Sequence, residues 1–187
     1  MRPAAFLDRD GTVLEEAGYL DRLERLVFFP FAIDAIRLLN RAGYAVVVIT
    51  NQSGVGRGMY REEFVLEAHQ VVDERVKAGG GRIDGYYYCP HHPTAEIERY
   101  RRDCDCRKPG AGMLRQAAKE LDLDLSRSFA IGDKWSDVGA GRNAGARSIL
   151  VRTGYGRSSE LAPRPGLAAD AVVDDLIAAA GWIFRHA

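Results

Sequence analysis

The chain has 187 residues, 47% of them hydrophobic and 28% charged, with 26 Lys and Arg against 26 Asp and Glu. That length and balance describe one globular domain, residues 1–187, with room for a real core, and they exclude a disordered tail or a fibrous repeat. A formal net charge of zero removes the global pull on polyanions that nucleic-acid binders use, so an anionic ligand has to be met by a local cluster of charge.

In chain order, short apolar runs alternate with longer amphipathic ones, as in a parallel sheet flanked by helices. The N-terminal residues reach Asp8 before a signal-peptide core can form, and residues 4–7 read as the first strand. Pro30 opens a helix to about Arg41, with Ile36, Leu39 and Ala42 on one side and Gly43 as its stop. Residues 45–49 form the second strand, in an apolar run too short to cross a bilayer. A helix over residues 61–78 carries Phe64, Ala68, Val71, Val72 and Val76 at helical spacing and ends at Gly79-Gly80-Gly81. Residues 85–88 are the third strand, and Leu114, Ala117, Ala118 and Leu121 mark a third helix. Strands follow at 129–131 and 148–151, separated by a short helix over 136–143. An exposed loop at Pro163-Arg164-Pro165-Gly166, a weak strand at 171–173 and a helix over 175–184 complete the chain. The expected fold is α/β, a Rossmann-like parallel sheet flanked by helices. Asp8, Thr50 and Asp133 each directly follow a buried strand, and the strand carboxyl ends of such a sheet face one crevice. These distant residues are therefore expected to meet.

Within Asp8-Arg9-Asp10-Gly11-Thr12, alternation puts the two carboxylates on one side of an extended segment, able to converge on one reacting centre or one cation. An acidic surface turn has the same composition. A calcium loop is excluded, because the glycine comes at the fourth place and the twelfth is Tyr19. Thr50-Asn51-Gln52-Ser53-Gly54 offers a hydroxyl, an amide and backbone N–H groups of the kind that hold phosphate oxygens, and Gly54-Val55-Gly56-Arg57-Gly58 adds flexibility and one cation. Lysine is scarce, confined to Lys77, Lys108, Lys119 and Lys134, and two of these sit in Arg107-Lys108-Pro109 and Gly132-Asp133-Lys134. Cys89-Pro90-His91-His92 and Cys104-Asp105-Cys106 gather all three cysteines beside imidazole. That set offers a tetrahedral zinc site or, alternatively, free thiols with a redox pair at Cys104 and Cys106. The odd count speaks against a closed disulfide framework and for a reducing, cytoplasmic setting.

In this order, Asp8-x-Asp10-Gly11-Thr12, Thr50, Lys108 and Gly132-Asp133-x-x-x-Asp137 resemble the four motifs of the haloacid dehalogenase superfamily phosphatases. The resemblance implies that Asp8 is a nucleophile forming an aspartyl-phosphate, and that Asp10 protonates the leaving group and then activates water. It implies Mg²⁺ held by the Asp8 and Asp133 carboxylates and the Asp10 backbone carbonyl, Thr50 and Lys108 stabilising the phosphoryl group, and Asp137 in support. Residues 86–109, together with the first two motifs, are similar to the D-glycero-D-manno-heptose 1,7-bisphosphate phosphatases, which serve the synthesis of lipopolysaccharide or other glycoconjugates. This similarity implies a closed structural zinc on Cys89, His91, Cys104 and Cys106, in a loop spanning 89–106, with His92 unused. It implies substrate contacts from Glu16, Ala17, Gly18, Tyr19, Asn51, Gln52, Ser53 and Lys134. A bisphosphate needs a second cationic patch, for which Arg107 and then Arg57 are candidates.

The histidinol-phosphate phosphatases share the aspartates and a similar zinc loop, but the longer loop here, Gly18-Tyr19 and Gln52-Ser53-Gly54 fit the heptose group better. An inactive zinc-containing binding module is the alternative of another class. The segments between Thr12 and Pro30 and after the third strand leave no room for a separate cap domain, so short loops are expected to shape the pocket. A small phosphorylated sugar is the expected partner, without nucleic acid or membrane, and the chain is expected to act as a monomer.

Overall fold

Six parallel strands form the centre of the protein, whose computed structural model describes residues 1–187. They are β1 (Ala4–Leu7), β2 (Ala45–Asn51), β3 (Gly85–Cys89), β4 (Phe129–Gly132), β5 (Arg147–Val151) and β6 (Ala171–Val173), laid side by side as β3-β2-β1-β4-β5-β6. The order reverses between β1 and β4, where Leu7 pairs with Ile131. Loops leaving these two strands must diverge, so a crevice opens at their carboxyl ends, just past which stand Asp8 and Asp133.

Helices cover both faces of the sheet: α1 (Ala32–Arg41), α3 (Glu62–Ala78) and α7 (Leu176–His186) on one side, α4 (Gly112–Glu120) and α5 (Trp135–Ala144) on the other. Strand alternation sorts the core accordingly. Leu7, Val46, Val48 and Ile131 pack with Ile36, Leu39, Val72 and Ile183, whereas Phe6, Val47, Ile49 and Ala130 pack with Met113, Leu114 and Ala117. Each fully buried Leu, Ile or Phe contributes about 1.5–3 kcal/mol, so the two layers hold the strand ends rigidly. No helix is long and apolar enough to cross a membrane.

Several expectations need correction. Strand β2 continues to Asn51, so Thr50 lies inside it and not after it. Helix α1 begins at Ala32, and Ala42 is exposed; the core face uses Ala32 and Ala35 with Ile36 and Leu39. In α3 the inward face is rotated: Val65 and His69 are buried, while Phe64 and Val71 are half-buried. Two short helices carry too little apolar periodicity to be read from the sequence: α2 (Ser53–Gly56) and α6 (Gly156–Leu161). The glycines at 54 and 56 are not a flexible run, since both are buried within α2.

Candidate active site

At the carboxyl ends of β1, β2 and β4, Asp8, Asp10, Thr50, Lys108 and Asp137 border a recess of about 80 Å³. It shares Asp10, Glu16, Gly18, Asn51, Lys108 and Lys134 with a larger cleft of about 600 Å³. Asp8 and Asp10 thus border one space, as their alternation in the sequence leads one to expect.

Lys108 is buried and spans two acids, its Nζ lying 2.8 Å from Asp8 Oδ1 and 2.6 Å from Asp137 Oδ1, and it also donates to the Ile49 carbonyl at 2.9 Å. Burial opposes the ammonium, but the Asp137 and Asp8 charges outweigh it and raise its pKa. Its main chain is fixed as firmly. Asn51 Oδ1 accepts from Lys108 N at 3.0 Å and Asn51 Nδ2 donates to Lys108 O at 3.1 Å. Asn51, expected to contact substrate, thus spends both ends of its amide on Lys108.

Asp8, Asp133 and Asp137 each bring a carboxylate oxygen within 4.8 Å of the others. Asp133 is fully buried; Oδ2 accepts from Tyr155 N at 2.8 Å, whereas Oδ1 has no hydrogen-bond donor and only Lys134 Nζ at 3.7 Å. Gly11 and Gly154, both with positive φ, press against this carboxylate, and a Cβ at either would collide with it. Burial pushes Asp8 up to about 6 against the pull of Lys108, and burial with the Asp8 charge pushes Asp133 up to about 8. A rigid group of carboxylates, short of positive charge and with one buried oxygen unpartnered, fits a hard divalent cation.

Asp10 is engaged differently. The Arg9 guanidinium, 1% exposed, donates to it through Nε at 3.1 and 3.2 Å and through Nη2 at 2.9 Å, while Gln52 Nε2 donates at 2.9 Å. Burial works against the Asp10 charge, but the Arg9 charge and these donors outweigh it and hold the carboxyl below its usual pKa. Gln52 is likewise committed to the wall and not free for substrate.

In the outer cleft, Lys134 Nζ lies 3.1 Å from Glu16 Oε2 and 4.5 Å from the centre of the Tyr155 ring. Gly18, Tyr19, Ser53 and Arg107 also line this cleft. Ala17 and Arg57 do not: the Ala17 carbonyl accepts from Arg25, and Arg57 Nη2 faces His92 Nε2 at 3.4 Å. Sequence reasoning missed Tyr60, Ser136, Tyr155 and Arg164 among the walls. Tyr155 and Arg164 come from segments without a catalytic motif; the only sequence signal at Arg164 is the exposed Pro163-Arg164-Pro165-Gly166 loop.

Cys89, His91, Cys104 and Cys106 converge with ligand atoms within 4.8 Å of one another. The sulfurs are 3.0, 3.2 and 3.5 Å apart, and His91 Nδ1 is 3.3 Å from Cys106 Sγ and 3.7 Å from Cys89 Sγ. Four zinc bonds of tetrahedral geometry, ~2.3 Å for sulfur, set edges of about 3.8 Å, so this three-sulfur, one-nitrogen set fits zinc with little movement. His92 instead binds Thr94 and stays outside the cluster.

Residues 105–179 match the family model described as "HAD-hyrolase-like". The chain is 42% identical over 173 residues to the D-glycero-beta-D-manno-heptose-1,7-bisphosphate 7-phosphatase of Photorhabdus laumondii, covering 92% of each. It is 41% identical to the Escherichia coli K12 enzyme of the same name, covering 93% of this chain and 90% of that one. Among solved structures, the D,D-heptose 1,7-bisphosphate phosphatase of B. bronchiseptica, complexed with magnesium and phosphate, matches with a TM-score of 0.87 and 33% identity over 100% of both chains.

Proposed function

The chain belongs to the haloacid dehalogenase-like phosphatase family that contains these heptose-bisphosphate enzymes, and from this we propose that it removes the C7 phosphate of D-glycero-D-manno-heptose 1,7-bisphosphate. It is a phosphoric monoester hydrolase. What carries the substrate reading is the division of charge along one cleft. Its inner end holds Asp8, Asp10, Lys108 and Asp137, while at its outer end the Arg164 side chain has no hydrogen bond or ion pair and Arg107 is satisfied only by the His91 carbonyl at 3.1 Å. One phosphate at the inner end leaves these two cations to take another. Histidinol phosphate would bring its own positive charge towards them, which disfavours that alternative. An inactive binding module is disfavoured too, because no group the chemistry needs is missing.

In the proposed reaction, Asp8, Asp133 and the Asp10 carbonyl would hold Mg²⁺, which would neutralise phosphoryl oxygens and orient the attack. The Asp8 carboxylate forms a bond to phosphorus as the bond from phosphorus to the C7 oxygen breaks. The leaving oxygen takes a proton from Asp10, and Thr50 and Lys108 stabilise the transferring group. Asp10 then accepts a proton from water, whose oxygen attacks phosphorus and returns Asp8 with release of inorganic phosphate. Arg9 holds Asp10 ionised before substrate arrives; the incoming phosphate dianion raises its proton affinity, so that Asp10 takes up from solvent the proton it then gives to the leaving oxygen.

Zinc on Cys89, His91, Cys104 and Cys106 serves structure, since four protein ligands leave no open position. It ties down the loop that delivers Arg107 and Lys108. We further propose that residues 1–187 act as one domain and as a monomer, the cleft being complete within one chain, in a cytoplasm that keeps the three thiols reduced. The pathway served is heptose precursor synthesis for lipopolysaccharide or other glycoconjugates.

The second-phosphate assignment is tested on Arg107→Ala and Arg164→Ala, comparing the heptose bisphosphate with the heptose 7-phosphate. Losing one charge-assisted contact is expected to lower kcat/KM for the bisphosphate about tenfold or more and to leave the monophosphate within about twofold. Equal losses on both substrates would remove these arginines from the second-phosphate role.

A further inference from the structure

Gln52 sits where three functional groups meet. Its Nε2 donates to Asp10 Oδ2 at 2.9 Å and to Thr50 Oγ1 at 2.8 Å, while its Oε1 accepts from the Tyr60 hydroxyl at 2.9 Å. With the side chain only 3% exposed, no water reaches this amide freely to replace a lost partner. The orientation matters because a carboxylate and a hydroxyl lie on the nitrogen side. An amide turned over would set its oxygen against the Asp10 carboxylate.

Tyr60 is held in place to fix that orientation. Its ring lies over Gly54, where any Cβ would strike it, and packs at 5.6 Å from the Phe64 ring. Burial pushes its phenol up to about 12, so it remains a donor across the neutral range. The hydroxyl makes no hydrogen bond to Asp8, Asp10 or Lys108. Its one side-chain partner is Gln52.

We propose that Tyr60 is a positioning residue for the phosphatase reaction, acting through Gln52 to hold the Asp10 carboxylate and the Thr50 hydroxyl in fixed orientation. The inference rests on the roles assigned above to Asp10 and Thr50, and extends them to a residue that hydrogen-bonds to neither.

The test is a double-mutant cycle on the magnesium-loaded enzyme with Tyr60→Phe, Gln52→Met and the double variant, using both the heptose bisphosphate and p-nitrophenyl phosphate. Tyr60→Phe keeps the ring packing and is expected to lower kcat about tenfold on both substrates, with KM within about twofold. In the Gln52→Met background the same change is expected to alter kcat less than about twofold, because the path through the amide is already broken. Gly54→Ala, whose methyl would strike the Tyr60 ring and its hydroxyl oxygen and displace them, is expected to reproduce the kcat loss with the hydroxyl still present. A raised KM with unchanged kcat would make Tyr60 a substrate contact and overturn the proposal. So would an undiminished effect in the Gln52→Met background, or no effect at all. Turnover of p-nitrophenyl phosphate without turnover of the heptose bisphosphate would sink the substrate assignment, while the cycle on p-nitrophenyl phosphate would still decide the role of Tyr60.

Discussion

Asp8→Asn is expected to lower turnover by at least about 10⁴-fold while leaving the protein folded and its zinc content intact. The amide is nearly the same size as the carboxylate but is a poor nucleophile, so the covalent step is lost and only binding and electrostatic stabilisation remain. Stability should not suffer. Asp8 is 5% exposed and its carboxyl is pushed up to about 6, burial acting first, which means that its charge is held at a cost in the absence of a cation. Phosphate-release rates, thermal unfolding and zinc analysis on the same preparation check this together. Turnover within tenfold of the wild type would mean that another group attacks phosphorus. Loss of zinc would mean that the cysteine loop and the aspartate site are not independent.

The second large effect is expected at Lys108. Lys108→Met keeps the length of the side chain but leaves Asp8 and Asp137, whose oxygens lie 2.8 and 2.6 Å from the ammonium, facing each other without a counter-charge. Removing one partner from a buried ionic cluster costs about 3–5 kcal/mol, and removing a cation aimed at a developing phosphoryl charge costs about 10²–10³ in kcat. Both losses should appear, measured by denaturant unfolding and by steady-state kinetics. Magnesium is expected to restore part of the stability and little of the rate, because a cation can neutralise the acids without standing where the ammonium stood. A variant as stable and as active as the wild type would contradict the role given to this lysine.

Much of this arrangement is legible in the sequence. Asp8 and Asp133 could be set at one end of the molecule because each follows a run of buried residues, and parallel strands share an end. The cysteine cluster was legible because only a few residue types bind zinc and all three cysteines fall in one loop. What escaped were partnerships made across the chain. Asn51 and Gln52 look like free donors in the sequence, yet one is clamped to Lys108, 57 residues away, and the other to Asp10, 42 residues away. Arg9, to which the motif assigns no role, is a buried counter-charge to Asp10. The glycines after Ser53 suggested flexibility; their smallness instead lets Tyr60 and the Pro90 carbonyl approach closely. Side-chain commitments of this kind depend on where distant segments pack, which local periodicity does not encode.

The most direct test of the central claim is to measure kcat/KM for phosphate release from D-glycero-D-manno-heptose 1,7-bisphosphate and from histidinol phosphate side by side, with magnesium. A cleft with paired acids within and unpaired arginines at its outer end predicts that the bisphosphate is preferred by at least about a hundredfold, the worth of one to two charge-assisted contacts. Equal rates, or a preference for histidinol phosphate, would contradict it.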